Sequence, residues 1–325
     1  MEKKENYLPI IIESLIFGKN SDYPLYIRSG ENYILYRSKA LIFSQNDALR
    51  LKNNGVNRLY IKNEDKEKYD NDVLEHIENI VNSKDLGFEE KAVKIYIYSK
   101  VYAEYVLTTG NLKNNKENIK KTIETMIDYL LISEFAFMNL LNLSDYDHNE
   151  VSHGINVSIY AMSLANRLGF TNKISLFEIG LAGLLHDIGK LKIPKTFLLK
   201  KDLNENELKE IQTHPLYSKE FLIQNNMENN DIINGVLDHH EASDGSGYPF
   251  GKTEENISTY GKILIIANRF DSLTRSGPYR IKLNMADALN QMNLNNDLYN
   301  NAFLTEFSLL MSKKISLSHS PAQEL

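Results

Sequence analysis

The stretch LAGLLHDIGK, Leu181–Lys190, decides how the second half of the chain is read. Its apolar run places His186 one turn beyond Ala182, on a helix expected to be mostly buried, and Asp187 follows directly. A carboxylate has two oxygens, so Asp187 can bridge two metal ions about 3.5 to 4 Å apart, as two-metal hydrolase sites require. A second stretch points the same way. GVLDHHEASDGSGYPFG, residues 235–251, sets His239 and His240 side by side in a loop whose glycines and proline fix backbone shape.

Two further histidines complete the pattern, His153 in VSHGINVSIYA and His214 in QTHPLYS. All five lie at or near predicted helix ends, which lets several helix ends converge on one pocket. A single helical histidine is more often a satisfied polar group than a ligand, and that plain reading serves for His76, His148 and His319. At the other five, the adjacent pair, the buried His-Asp and the nearby GSGYP together argue against accident. The chain has no cysteine, which removes disulfides, thiolate ligands, iron-sulfur clusters and a cysteine nucleophile. Any metal must therefore be held by nitrogen and oxygen.

With 325 residues, 42% of them hydrophobic, the chain holds one large domain or two modest ones. A formal net charge of -6 supplies no field that would draw in a nucleic-acid backbone broadly. The opening MEKKENYLPIIIESLIFG sets basic residues before an apolar run, but Glu13 interrupts that run and it is too short to span a bilayer, so a cytoplasmic protein is expected.

Along the chain, YPLYIRS and YILYRS predict two strands of a hairpin joined at Gly30. Ser44 with Asp47 predicts the start of a helix over QNDALRLKNN, stopped by Gly55 before a third strand in VNRLYIK. Apolar residues at three- and four-residue spacing then predict connecting helices from about Phe88 to Leu143. Beyond Ser144, Ser175 with Glu178 and Asn204 with Glu207 have the spacing of capping boxes. The expected fold is mainly α: a small α/β unit over residues 1–85, connecting helices over 86–144, an all-helical domain over 145–312 and a polar tail over 313–325.

The motifs HDIGK, HHEASDGSGYPFG and ANRFDSLTRSGPYR, in this order, resemble the signature of HD-GYP phosphodiesterases over roughly residues 145 to 285. The resemblance implies hydrolysis of the bacterial second messenger cyclic di-GMP to linear pGpG, or on to GMP, by a metal-bridging hydroxide at a centre of iron or manganese. It matches His153, His186, Asp187, His214, His239 and His240 to ligand positions, with Asp187 as the bridge, and Lys190 to the lysine facing the scissile phosphate. Tyr248 is the aromatic of the GYP loop, which the family uses near its site and with diguanylate cyclase (GGDEF) partners; simple loop packing explains it equally well. Glu241 and Asp244 are candidates to orient imidazoles by accepting their second N–H.

Three positions depart from the family. Asn268 stands where an aspartate is the last metal ligand, keeping one oxygen donor but losing the charge, with Asp271 one turn along as a substitute. Gly277 stands where an arginine often precedes PYR, leaving Arg280 to contact substrate phosphate. Asn149, beside Glu150, stands where three-metal members carry a glutamate, so two divalent ions and pGpG are expected. The leading reading is an enzyme. The competing ones are a module that binds cyclic di-GMP or a GGDEF partner without cutting, and an HD hydrolase of another nucleotide such as a linear dinucleotide or a cyclic GMP-AMP hybrid. The apolar stripe of residues 88–143 can face a second copy of the chain as readily as its own neighbours.

Overall fold

The structure is a computed structural model that describes residues 7–113, 115–133, 136, 139–140, 143, 150–275 and 282–318. Near the amino terminus a four-stranded antiparallel sheet is ordered β1-β4-β2-β3, from β1 (Tyr7–Ile11), β2 (Leu25–Ser29), β3 (Asn32–Arg37) and β4 (Arg58–Lys62). β2 and β3 form the expected hairpin around Gly30, whose φ of 60° is the left-handed conformation that glycine adopts without penalty. Strand β1 was not foreseen. It pairs with β4 across some fifty residues of sequence, Ile10 opposite Leu59 and Leu8 opposite Ile61, so the run LPII closes the sheet edge. Between β3 and β4 lies helix α1 (Gln45–Asn53), held by the predicted Ser44–Asp47 capping box.

Three long helices follow, α2 (Lys66–Asn82), α3 (Phe88–Thr109) and α4 (Lys116–Leu130). The rest is helical: α5 (Glu150–Arg167), α6 (Lys173–Leu185), a 3-10 turn (Ile188–Lys192), α7 (Lys195–Leu198), α8 (Glu205–Ile211), α9 (His214–Gln224), α10 (Asn230–Asp238), α11 (Thr259–Thr274), α12 (Met285–Leu294) and α13 (Asn301–Ser318). Among the described residues no helix is long and apolar enough to cross a membrane.

Two boundaries differ from the sequence reading. α6 begins at Lys173, where Asn172 accepts the Ile174 N–H, so Ser175 lies inside the helix and is not its cap. The Asn204–Glu207 box is present at the head of α8. α13 runs to Ser318, so the first residues of the expected tail are helical.

One continuous cluster of buried side chains extends from Ile10 in the sheet to Met311 in α13. Helix α5 packs against α3, α6 and α11, and α10 bridges α6, α9 and α11. At the α5–α6 crossing the backbones nearly touch. A Cβ on Gly183 would lie 2.8 Å from Ser158 Cα, and one on Gly154 would lie 2.9 Å from the Leu184 carbonyl oxygen. Glycine at these two positions brings the start of α5 against the end of α6, which sets His153 beside His186.

Candidate metal centre

Four segments deliver the five histidines to one place. His153 is in the first turn of α5, and His186 caps the carboxyl end of α6. His214 opens α9, where Pro215 sits in a first turn that needs no N–H from it. His239 caps α10, and His240 follows it into the loop. His153, His186, His214 and His239 are almost fully buried.

Their rings are oriented by hydrogen bonds at Nδ1. His186 Nδ1 is 2.7 Å from the Gly183 carbonyl, His214 Nδ1 2.7 Å from that of Ile211, and His239 Nδ1 2.6 Å from that of Val236. A carbonyl only accepts, so each Nδ1 carries a proton, and a neutral ring held this way keeps its lone pair on Nε2. The Nε2 atoms face one another. His186 Nε2 is 3.2 Å from His153 Nε2, and His214 Nε2 is 3.2 Å from His239 Nε2.

Between the two pairs lies the Asp187 carboxylate. Its Oδ2 is 3.4 Å from His153 Nε2 and 3.2 Å from His186 Nε2. Its Oδ1 is 3.1 Å from His214 Nε2 and 3.7 Å from His239 Nε2. Asp187 Oδ1 is buried without a hydrogen-bond donor. The donors accordingly sort into two sets that share Asp187, one with His153 and His186 and the other with His214, His239 and His240.

Electrostatics keep most of this site neutral or anionic. Burial pushes the His239 imidazole down to about 3, with His186 and His214 adding repulsion. Burial likewise lowers His186 and holds His240 well below the ordinary histidine range. His153 is the exception: burial and the Arg275 guanidinium press it down, but its contacts with Asp187 and Asp271 carry it above 6.5. Burial alone would raise Asp187, yet the neighbouring His186 and Lys190 hold its carboxyl well below the carboxylate range.

The remaining predicted residues fall in varied places. Lys190 reaches back to Asp187 Oδ2 at 2.6 Å. Tyr248 stacks on the His240 ring, centroids 4.6 Å apart and planes 20° apart, and its N–H donates to the His240 carbonyl. Asn268 is buried on α11, its amide oxygen 3.5 Å from Ser272 Oγ. Asp271, considered as a substitute ligand, instead accepts from His153 Nδ1 at 2.6 Å and from Asn156 Nδ2 at 2.8 Å. It orients a ring that is held by side chains and not by the carbonyl three residues earlier.

Glu241 and Asp244 do not orient imidazoles. Glu241 accepts from the Phe250 and Lys252 N–H groups at 2.8 and 2.9 Å, folding the glycine-rich loop back on itself. Asp244 accepts from Ser246 N and Oγ within its own turn. Arg280, Gly277 and Asn149 lie outside the described residues.

Three supporting residues had no motif to reveal them. Ser218 Oγ accepts from Gly189 N and donates to the His186 carbonyl, tying α9 to the His-Asp turn. Asp238, fully buried, accepts from Lys252 Nζ at 2.6 Å and Ser258 N at 2.8 Å, joining α10, the loop and the head of α11. Asn156, one turn after His153, holds Asp271.

These residues fit divalent cations. Two imidazoles bound to one such ion at about 2.1 Å stand about 3.0 to 3.4 Å apart, which matches both histidine pairs, and the orphaned Asp187 oxygen calls for a positive partner.

A protein-family profile described as HD domain matches residues 133–302, which is 170 of the 325 residues. A cyclic di-GMP phosphodiesterase of Pseudomonas aeruginosa is 32% identical over 158 residues, covering 48% of this chain and 38% of that protein. One of Thermotoga maritima is 30% identical over 211 residues, covering 63% and 57%. A 3'3'-cGAMP-specific phosphodiesterase of Vibrio cholerae is 35% identical over 141 residues, covering 43% and 32%. The chain thus spans less than two thirds of the length of each of these relatives. A solved HDG"Y"P protein from Bdellovibrio bacteriovorus superposes with a TM-score of 0.75 at 20% identity, over 94% of this chain and all of the other, so the two share a fold. With more than half its length matched, and the His-Asp pair at the centre of the site, the chain belongs to the HD domain family.

Proposed function

We propose that the chain is a metal-dependent phosphodiesterase that hydrolyses cyclic di-GMP, mainly to linear pGpG. The observation that carries this reading is Asp187, whose two oxygens address two separate sets of histidine nitrogens. What two divalent ions supply when bound there is activation of water and neutralisation of phosphate charge. The names of the P. aeruginosa and T. maritima relatives support the substrate.

The chain's own residues divide the work. His153, His186, His214, His239 and His240 are the nitrogen ligands, and Asp187 is the bridge. Asn268 is placed in the ligand set by motif alone. Lys190, paired to Asp187, brings a cation to the rim for a non-bridging phosphate oxygen. Tyr248, stacked on His240, walls that side and offers a ring to the nucleotide; Arg280 is the second candidate for substrate phosphate. Mixed nitrogen and carboxylate donors suit iron or manganese. The Asn149 position supports two ions and hence a single cut. The α/β unit over residues 1–85 is proposed as regulatory, and a GGDEF partner and a homodimer through residues 88–143 belong to the same proposal.

A second reading, hydrolysis of 3'3'-cGAMP, is favoured by the V. cholerae relative. One experiment separates the two. The full chain, loaded anaerobically with iron and separately with manganese, is given each cyclic dinucleotide, and products are resolved by chromatography. Accumulating pGpG at the higher initial rate supports cyclic di-GMP, and a faster rate on the hybrid supports the second reading. Turnover that survives His186→Ala and Asp187→Ala, or no product from either substrate at full metal loading, overturns the proposal.

A further inference from the structure

We infer that Tyr96, on α3 and ahead of the segment matched to the family, is a positioning residue for His153; the inference rests on the metal centre proposed above. Tyr96 Oη donates to Asn156 Oδ1 at 3.0 Å, Asn156 Nδ2 donates to Asp271 Oδ1 at 2.8 Å, and Asp271 Oδ2 is 2.6 Å from His153 Nδ1. The four side chains are 6%, 2%, 2% and 2% exposed in that order, so bulk water cannot stand in for a missing member.

Proton accounting fixes the direction of the chain. An ionised carboxylate only accepts, so Asp271 takes the His153 Nδ1–H with one oxygen and must meet the NH2 end of Asn156 with the other. That turns the Asn156 carbonyl toward Tyr96, which has to be the donor. With Nδ1 held by Asp271, His153 directs its Nε2 at His186 and Asp187. Without the phenolic hydroxyl the Asn156 amide loses a contact at its carbonyl end, its hold on Asp271 loosens, and the His153 ring is less firmly oriented.

A second contact ties the same helices. The space beside Gly154, next to His153, is closed by Leu107 of α3, whose Cδ1 lies 3.4 Å from where a Cβ would stand. The ligand at the head of α5 is therefore aligned partly by a helix that precedes the family segment.

The test is a cobalt(II) titration of the full chain, followed by visible absorption, which reports ligand geometry without substrate. Tyr96→Phe is compared with Tyr98→Phe, which removes a hydroxyl from another buried tyrosine of α3. Tyr96→Phe is expected to raise the cobalt dissociation constant several-fold, short of the about 10- to 100-fold typical of a ligand's immediate partner, and to shift the absorption bands. It should also lower kcat with KM unchanged. Tyr98→Phe should stay within about twofold of the unmodified protein in all three readouts. In an Asn156→Ala background the Tyr96→Phe effect should vanish.

Equal affinity and spectra for Tyr96→Phe and the unmodified chain overturn the inference, as does an effect of full size in the Asn156→Ala background. A matching loss in both tyrosine variants, alongside lost helicity, shows a merely structural role and overturns it too. If the unmodified protein takes up no cobalt, the metal centre itself falls and the inference with it.

Discussion

Gly189, inside HDIGK, offers a sharp test of how the centre is assembled. A Cβ at this position would sit 2.1 Å from the His214 carbonyl oxygen, 2.5 Å from Ser218 N and 2.8 Å from Ser218 Oγ. Ordinary contact begins at 3.4 Å, so Gly189→Ala forces the 3-10 turn and α9 apart by about 1.3 Å, the difference between 3.4 and 2.1. Two of the obstructing atoms are backbone and cannot swing away. Asp187 is two residues upstream and His214 leads α9, so the 3.1 Å approach of Asp187 Oδ1 to His214 Nε2 opens with that movement. The Ser218 bridge to Gly189 N and the His186 carbonyl is strained by the same displacement.

Overpacking of this kind costs about 1 to 3 kcal/mol of stability, and a misplacement near 1 Å costs about 100-fold in turnover. Gly87→Ala is the control, because a Cβ there meets nothing within 4 Å. Metal content per chain, turnover of cyclic di-GMP and urea unfolding of the metal-free protein are measured for both variants. If Gly189→Ala keeps the metal stoichiometry and turnover of the unmodified chain, the spacing argument is wrong.

Other outcomes follow from the same geometry. Asp271→Asn should weaken metal binding by about 10- to 100-fold, since the amide can turn a donor toward His153 Nδ1 and favour the wrong tautomer; unchanged affinity by calorimetry would contradict this. The metal-free protein should lose stability as pH falls below 6.5, because burial holds folded His239 to about 3 while the unfolded chain takes up the proton from 6.5 downward. The window is about 6.5 to 3, and at pH 5 the loss from His239 alone is about 2 kcal/mol, readable as a lower urea midpoint in chelator. Lys252→Met should destabilise the fold by about 3 to 5 kcal/mol by leaving the fully buried Asp238 without its cation, while Lys252→Arg retains most of the stability.

The cluster was legible in the sequence because its chemistry resides in residue type: five histidines and an Asp at helix ends are candidate ligands on sight, and the fold brings them together. Their supports were not. His153 and Asp271 are 118 residues apart, and no local pattern marks which of several carboxylates will meet a given ring. Glu241 and Asp244 sit beside the histidines in sequence and were expected to hold them, but short loops spend nearby carboxylates on their own N–H groups. Strand β1 was missed because its evidence is a partner far along the chain, whereas the β2–β3 hairpin announces itself through one turn. The Ser175 cap failed because Asn172, three residues earlier, is equally suited and lies where the chain turns into the helix.

His186, His214 and His239 each take their Nδ1 acceptor from the carbonyl three residues earlier. That acceptor belongs to the same local turn, so the aim of each ring is available once four residues adopt their shape, before distant parts of the chain have met. Long-range packing is left with fixing how far apart the rings stand. For anyone transplanting this cluster into another scaffold, three tetrapeptide turns are portable units, and His153 is a ring that has to bring its distant neighbours along.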